Sequence, residues 1–321
     1  MPLFEPVPID IDQVRQLARN HWNVEVGDCA KVSQNHTYFA KRDTGERFVL
    51  RLIPDPNNKR SNTTELEVTL LRYLHENDLP VCQAIESSIT SSAVVRDGSL
   101  ILCLFTFATG EPVVYADWTW MTNRDIVVGL GRWFARLHQL TRRFVQEQPA
   151  LAAHARHWTT LHDEVLAEVE VDERDNATIS DPMHFGLIHG DVIASNYHWD
   201  AAIGMPCMFD WDELQRSWFL YDLSASIWAV TMLKLAGSPI DRSPVPQADP
   251  ELYTNWLLEG YESNGDCVAV DRDGLQRMVM IRRELYRRFC RKALLELSPE
   301  HSMRGFCNFM NEFFDREDSR A

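Results

Sequence analysis

The stretch from Leu187 to Leu223, LIHGDVIASNYHWDAAIGMPCMFDWDELQRSWFLYDL, constrains this chain more than any other, because it sets acids and a carboxamide in short apolar, strand-like surroundings. Tyr197-His198-Trp199 and Cys207-Met208-Phe209 read as two short strands, with Ala201 to Pro206 as the turn between them. Asp191 follows His189-Gly190 and precedes Asn196 by five positions, and Asp210 stands fourteen further on. That spacing lets Asp191 and Asn196 face one cavity, and the hairpin brings Asp210 back beside them. One such acid alone more often caps a helix or closes a turn. Taken jointly they match what phosphoryl transfer needs: a carboxylate to orient and deprotonate a hydroxyl, and hard oxygen ligands for magnesium on the donor phosphates. Asp191 fits the first need, Asn196 and Asp210 the second.

HGDVIASN followed by FDWDELQRSWFLYDLS resembles the catalytic segment of the aminoglycoside phosphotransferase and choline kinase superfamily, relatives of protein kinases that phosphorylate small molecules. The family pattern is H-G-D-x4-N, then an apolar residue and a metal-binding Asp where protein kinases carry D-F-G. The resemblance implies that Asp191 is the catalytic base, that Asn196 and Asp210 hold Mg2+, and that Asp222 braces the catalytic loop structurally. It also implies an α+β, bilobal protein-kinase-like fold. An N-terminal antiparallel sheet with one helix, residues 1–107, would bind nucleotide; a larger, mostly helical C-terminal lobe, residues 108–321, would hold the catalytic and substrate-binding groups. The FDWDELQRSWFLYDLS form is nearer the homoserine-kinase-like and stress-response-kinase-like members than the I-D-W-E-x-A of antibiotic phosphotransferases.

Such enzymes also need a cation on the donor phosphates and a carboxylate to hold it. Arg47 to Ile53 alternates charged and apolar residues as a strand does, which places Arg51 where the family's nucleotide-contacting cation falls. Most kinases carry Lys there; Arg offers a rigid five-donor fork instead. Thr64 to Glu76 reads as a helix opened by the capping-box pair Asn62 and Glu65, with Glu67, Leu70, Leu71 and Leu74 on one stripe. An acid on an apolar face needs a charged partner, since burying it alone is costly or shifts its pKa, and Arg51 is the partner expected.

Lys31 to Phe39 has no glycine where protein kinases place G-x-G-x-x-G. Ser33, Asn35 and Thr37 are candidates to present donors to phosphate; an ordinary polar turn is the alternative, and Asp43-Thr44-Gly45-Glu46 closes the next hairpin. Ser99 to Phe105 reads as a buried strand. Thr106, Phe107 and Ala108 after it stand where kinases bond the adenine edge through backbone, or else form a plain connection.

A formal charge of −15 opposes nucleic acid, whose phosphates require a positive surface, and points toward cationic or zwitterionic ligands. At 321 residues with 45% hydrophobic content, the chain can bury sizeable cores and exceeds one ordinary domain. No run of 18 apolar residues marks a membrane span, and the N-terminus lacks a basic start and apolar core of signal type. No membrane partner is therefore expected, and cytoplasm is the expected compartment. The seven cysteines, at long irregular spacings without C-x-x-C, read as buried thiols. His189 is expected to orient its loop through hydrogen bonds, since no second His or Cys stands at ligand spacing.

The C-terminal half reads as helical, with candidates over Arg124 to Leu140, His157 to Val171 and Trp218 to Leu235, and a proline-bearing loop from Ser238 to Pro250. The basic run Arg282, Arg283, Arg287, Arg288, Arg291 and Lys292 reads as one solvated helix face. For the acceptor, Trp211, Asp212, Glu213, Trp218, Tyr221 and Trp228 offer aromatic faces and acids that suit an ammonium group, or else helix core. These readings lead to an ATP- and Mg2+-dependent O-phosphotransferase acting on a hydroxyl of a small polar, amino-bearing metabolite. A stress-response-type Ser/Thr protein kinase and a nucleotide-binding pseudokinase scaffold are the alternatives.

Overall fold

The computed structural model describes residues 9–32, 35–159, 171–263, 265, 269–301 and 303–319. It divides into two compact units, the first running to Thr109 and including Ala150–His154, the second holding Gly110–Pro149 and the chain from Ala155 onward.

In the first unit, six strands form one antiparallel sheet: β1 (Glu25–Val32), β2 (His36–Lys41), β3 (Arg47–Pro54), β4 (Ala84–Ile85), β5 (Val95–Asp97) and β6 (Leu100–Thr106). The order is β1-β2-β3-β6, and β4 and β5 both pair with β6. The β2–β3 hairpin turns at Gly45, whose φ of 86° suits glycine, and Arg42 N–H donates to the Glu46 carbonyl to close it. Side chains alternate along β3. Phe48, Leu50 and Leu52 join a core with Val14, Ala18 and Trp22 of helix α1 (Ile11–Trp22). Arg51, on the opposite face, meets Glu67 of helix α2 (Ser61–Glu76).

The sequence implied a single helix here. The second one, α1, carries Val14, Ala18 and Trp22 at i, i+4 and i+8, and the Asp10 carboxylate caps it by accepting from the N–H groups of Asp12 and Gln13. The expected capping box of α2 is not formed. The helix starts at Ser61, so Asn62 already lies in its first turn; the N-cap is Arg60 and makes no side-chain cap bond. The entrance is held otherwise, by Asp55 accepting from Lys59 N and Arg60 N and by the Thr63 and Thr64 hydroxyls donating to the Arg60 carbonyl.

The second unit is mostly helical, built on α3 (Arg124–Glu147), α4 (Phe219–Ala236), α5 (Pro250–Glu262), α6 (Arg272–Glu296) and α7 (Met303–Asp318). Two small sheets sit among them. One is ordered β11-β10-β7, from β7 (Glu111–Pro112), β10 (Tyr197–Asp200) and β11 (Met205–Met208); the other is β8-β12-β9, from β8 (Arg156–His157), β9 (Phe185–Ile188) and β12 (Gln215–Trp218). α3 and α5 cross so closely that a Cβ on Gly260 would strike the Val128 carbonyl. α4 is long and apolar enough by composition to cross a membrane, and 67% of it is buried inside the protein. It begins one residue after Trp218, which ends β12. The helix expected from His157 falls mostly outside the described residues, and His157 itself is in β8.

The basic run on α6 is not a freely solvated face. Arg283, Arg287 and Arg291 pair with Glu317, Asp318 and Asp315 of α7, while Arg288 and Lys292 pair along α6 with Glu284 and Glu296. Arg282 turns inward and is 6% exposed.

Candidate active site

Asp191 lies in the loop leaving β9, and the residues around it fix its position. Asn196 Nδ2 donates to the Asp191 carbonyl at 2.8 Å and to its carboxylate Oδ2 at 3.0 Å, so one carboxamide sets both the loop and the rotamer of the acid. His189 spans the loop: its Nδ1 accepts from Asp191 N–H at 3.3 Å, which leaves Nε2 to donate to the Phe209 carbonyl at 3.1 Å. The imidazole thus ties the first motif to the residue preceding Asp210, and it packs at a tilt against Trp211 at 4.5 Å between centroids.

The β10–β11 hairpin delivers Asp210. Tyr197 pairs with Met208, and beyond that pair Phe209 N–H donates to the Asn196 carbonyl at 3.0 Å, so the strand ends carry Asn196 and Asp210 to the same end of the hairpin. Asp210 adopts the left-handed region, φ 64° and ψ 63°, and opens the 3-10 turn Trp211–Glu213. A non-glycine residue held there is strained and of the kind found at functional positions. Two neighbouring oxygen donors suit a hard cation that keeps water and takes phosphate oxygens as its other ligands. Among the described residues no group of three or more His, Cys, Asp or Glu converges on a metal position.

Asp222, at the start of α4, accepts from both His189 N–H (3.2 Å) and Gly190 N–H (2.8 Å) and faces His138 Nε2 at 3.1 Å. A carboxylate only accepts, so Nε2 carries the proton and Nδ1 takes the Tyr261 hydroxyl at 2.9 Å. Burial alone would raise the Asp222 pKa; the His138 hydrogen bond, the neighbouring imidazoles and the Gly190 N–H outweigh it and hold the carboxyl below its usual range. Burial lowers the His138 pKa, against the pull of Asp222. Gly190 sits at φ 87°, and a Cβ there would lie 2.5 Å from the Glu213 carbonyl oxygen, so glycine is required.

Of the residues proposed for the acceptor, the aromatic set is corrected. Trp211, Trp218 and Tyr221 are each 2% exposed and Trp228 is 1% exposed. Trp218 donates its Nε1–H to the Asp175 carbonyl and packs on Trp158 and Phe185, and the cation over the Tyr221 ring is the chain's own Arg282, 4.1 Å from the centroid. They are helix and strand core, the alternative their spacing also allowed. The acids are placed differently. Asp212 and Glu213 are only partly buried; burial raises the Glu213 pKa, Asp191 and Asp212 add to that, and Arg156 opposes it.

In the first unit, Arg51 Nη2 lies 2.6 Å from Glu67 Oε2, with side chains 8% and 9% exposed, so the expected ion pair forms. The Arg51 guanidinium also stacks over Phe105 at 4.8 Å. Ser33 lies outside the described residues. Asn35 is 2% exposed and its carbonyl takes Arg60 Nη1 at 2.8 Å, which fastens the β1–β2 turn to the entrance of α2 and withdraws the side chain from the surface. The Thr106 N–H donates to the Gln83 carbonyl at 2.8 Å and its hydroxyl accepts from Gln83 N–H. Phe107 is capped by the Arg47 guanidinium at 3.7 Å.

Sequence reasoning missed His138, Tyr261 and Arg282. His138 had a signal: it shares the apolar stripe of α3 with Leu130, Phe134 and Thr141. Arg282 was hidden among surface arginines.

The model of the phosphotransferase enzyme family matches residues 29–246. Amicoumacin kinase of Bacillus subtilis (strain 168) is 23% identical over 215 residues, 62% of this chain; the match spans 61% of that relative's own length. Among solved structures, an amicoumacin kinase in complex with AMP-PNP, Ca2+ and Ami superposes with a TM-score of 0.72 at 19% identity, covering 96% of this chain and 94% of that one. A microcompartment-associated aminopropanol kinase gives 0.61 at 18% identity (95% and 94% covered), and a spectinomycin phosphotransferase in complex with ADP and spectinomycin 0.63 at 14% (96% and 96%). These likenesses establish the kinase-like α+β fold.

Proposed function

The chain belongs to the phosphotransferase enzyme family, and from that premise we propose that it is a small-molecule kinase, moving the terminal phosphoryl group of ATP to a hydroxyl of an amino-bearing metabolite. The observation that carries this reading is the single bonded unit formed by Asp191, Asn196 and the end of the Asp210 hairpin. The Asp191 carboxylate orients the acceptor hydroxyl and takes its proton as the oxygen attacks the terminal phosphorus; the bond to the bridging oxygen breaks and ADP leaves. A magnesium ion held through Asn196 Oδ1 and the Asp210 carboxylate would neutralise charge on the donor phosphates. We assign to Arg51, aimed by Glu67, a cation role toward the nucleotide in the first unit.

The amino group of the acceptor is assigned to Asp212 and Glu213. They are partly exposed acids next to Asp191, on a chain of net charge −15. The structural neighbour named as an aminopropanol kinase supports an amine-bearing acceptor. Cytoplasm is the compartment we assign, consistent with the buried free thiols of Cys82, Cys103, Cys207, Cys290 and Cys307. Labelled ATP incubated with amino alcohols, amino acids, sugars, aminoglycosides and a protein mixture tests the reading. Label on an amine-bearing small molecule is the expected result; label on protein alone would replace it with a protein kinase, and no turnover of any acceptor would reject it.

A further inference from the structure

Alone among the cations of the α6 run, Arg282 is buried, and it joins the catalytic loop to the start of α4. Nη2 donates to the Gly190 carbonyl at 3.0 Å and to the Tyr221 carbonyl at 3.2 Å; Nε donates to Ser224 Oγ at 3.2 Å. The guanidinium plane lies on the Tyr221 ring. Holding α6 against α4 does not require a cation, since an apolar side chain of similar volume achieves that without the desolvation cost of a buried charge.

The Gly190 carbonyl shares a peptide plane with the Asp191 N–H. Arg282 holds the oxygen side of that plane, and His189 Nδ1 holds its N–H side. The preceding Gly190 N–H is taken by Asp222. Turning the Gly190–Asp191 peptide would swing the Asp191 carboxylate, and Arg282 is the group that resists this from behind the loop.

We propose that Arg282 is a positioning residue for phosphoryl transfer, fixing the Gly190–Asp191 peptide so that the Asp191 carboxylate meets the acceptor in line. The inference rests on Asp191 being the base. Misplacing a reacting group by about 1 Å costs on the order of 100-fold in rate, which sets the scale of the effect.

The test measures ADP formation from ATP with water as acceptor, a reaction that needs no identified metabolite, with active protein counted by nucleotide-binding stoichiometry. Arg282→Met keeps the volume and removes the donors; Arg282→Lys keeps one cationic donor. Expected are a fall in kcat of about 10- to 100-fold for Arg282→Met, a nucleotide constant within about twofold of the parent, and recovery of part of the lost kcat in Arg282→Lys. A merely structural brace would instead lower the fraction of protein that binds nucleotide and leave kcat per binding site intact, and that outcome overturns the proposal. Should Arg282→Met fail to fold, Arg282→Gln and Arg282→Lys decide it: kcat within about threefold of the parent in both overturns it. Asp191→Asn runs beside them. If it is inactive while the Arg282 variants turn over normally, only the Arg282 inference falls; if it stays active, the assignment of the base falls and takes the inference with it.

Discussion

Asn196 bonds both the carbonyl and the carboxylate of Asp191, so the acid assigned as base has its rotamer set before any ligand arrives. Asp191→Ala should lower turnover about 10²- to 10⁴-fold, the usual worth of a positioned base, with nucleotide still bound by calorimetry. Turnover within about threefold of the parent would remove Asp191 from the mechanism. In the first unit, Glu67→Gln deprives the buried Arg51 of its counter-charge. Loss of a buried partner can cost about 3–5 kcal/mol, so the variant should melt earlier and its apparent constant for ATP should rise more than that for acceptor. Unchanged stability together with unchanged ATP affinity would refute the assignment of Arg51 to the nucleotide.

Elements that close on themselves within a few residues were legible in the sequence. The β10–β11 hairpin turning at Gly204 is local chemistry, although Pro206, expected in the turn, lies in β11; so is the alternation along β3 that sets Arg51 opposite Phe48, Leu50 and Leu52. The stripe of α2 carrying Glu67 belongs to the same class. What stayed hidden depends on distant partners. Arg282 reads as one arginine among several until α6 is laid on α4, 92 residues from Gly190 in sequence; Trp218 and Tyr221 read equally well as ligand cage or core until β12 and α4 are packed. The α2 capping box failed because Asp55 and Arg60 start the helix earlier. The α3–α5 crossing is another long-range device, since only glycine leaves room for the Val128 carbonyl at position 260. Gly260→Ala gains helix propensity locally but overpacks the crossing, for a net loss of about 1–3 kcal/mol. A melting temperature equal to or above the parent's by calorimetry would show that the two helices can separate at small cost.

At the scale of the whole molecule, His138, Asp222 and Asp55 are all held below their usual pKa, so their signs agree, while the raised Glu213 opposes them. Burial lowers the pKa of His138, which faces Asp222 and the Tyr261 hydroxyl, with Arg142 lowering it further. Asp222 is lowered by its bonds to His138 and Gly190 in spite of burial, and Asp55 by Arg96 and the Lys59 and Arg60 N–H groups in spite of burial. A group whose pKa is lower in the fold binds fewer protons there than in the unfolded chain, so acid favours unfolding. For His138 the loss begins as pH falls below its ordinary value of 6.5, and for Asp222 and Asp55 below 3.8, each continuing through the lower folded value. Melting temperature should therefore decline from about pH 6.5 toward about pH 5 and drop more steeply below about pH 4. His138→Gln keeps a donor for Asp222 and lacks the titration, so the upper part of that decline should shrink to the share of His36 and His157, whose pKa burial also lowers, while the steep acid part stays. A parent whose melting temperature is level between about pH 7 and about pH 5 would mean that the fold leaves the His138 pKa at its ordinary value, and one whose melting temperature rises over that range would mean that His138 is charged in the fold.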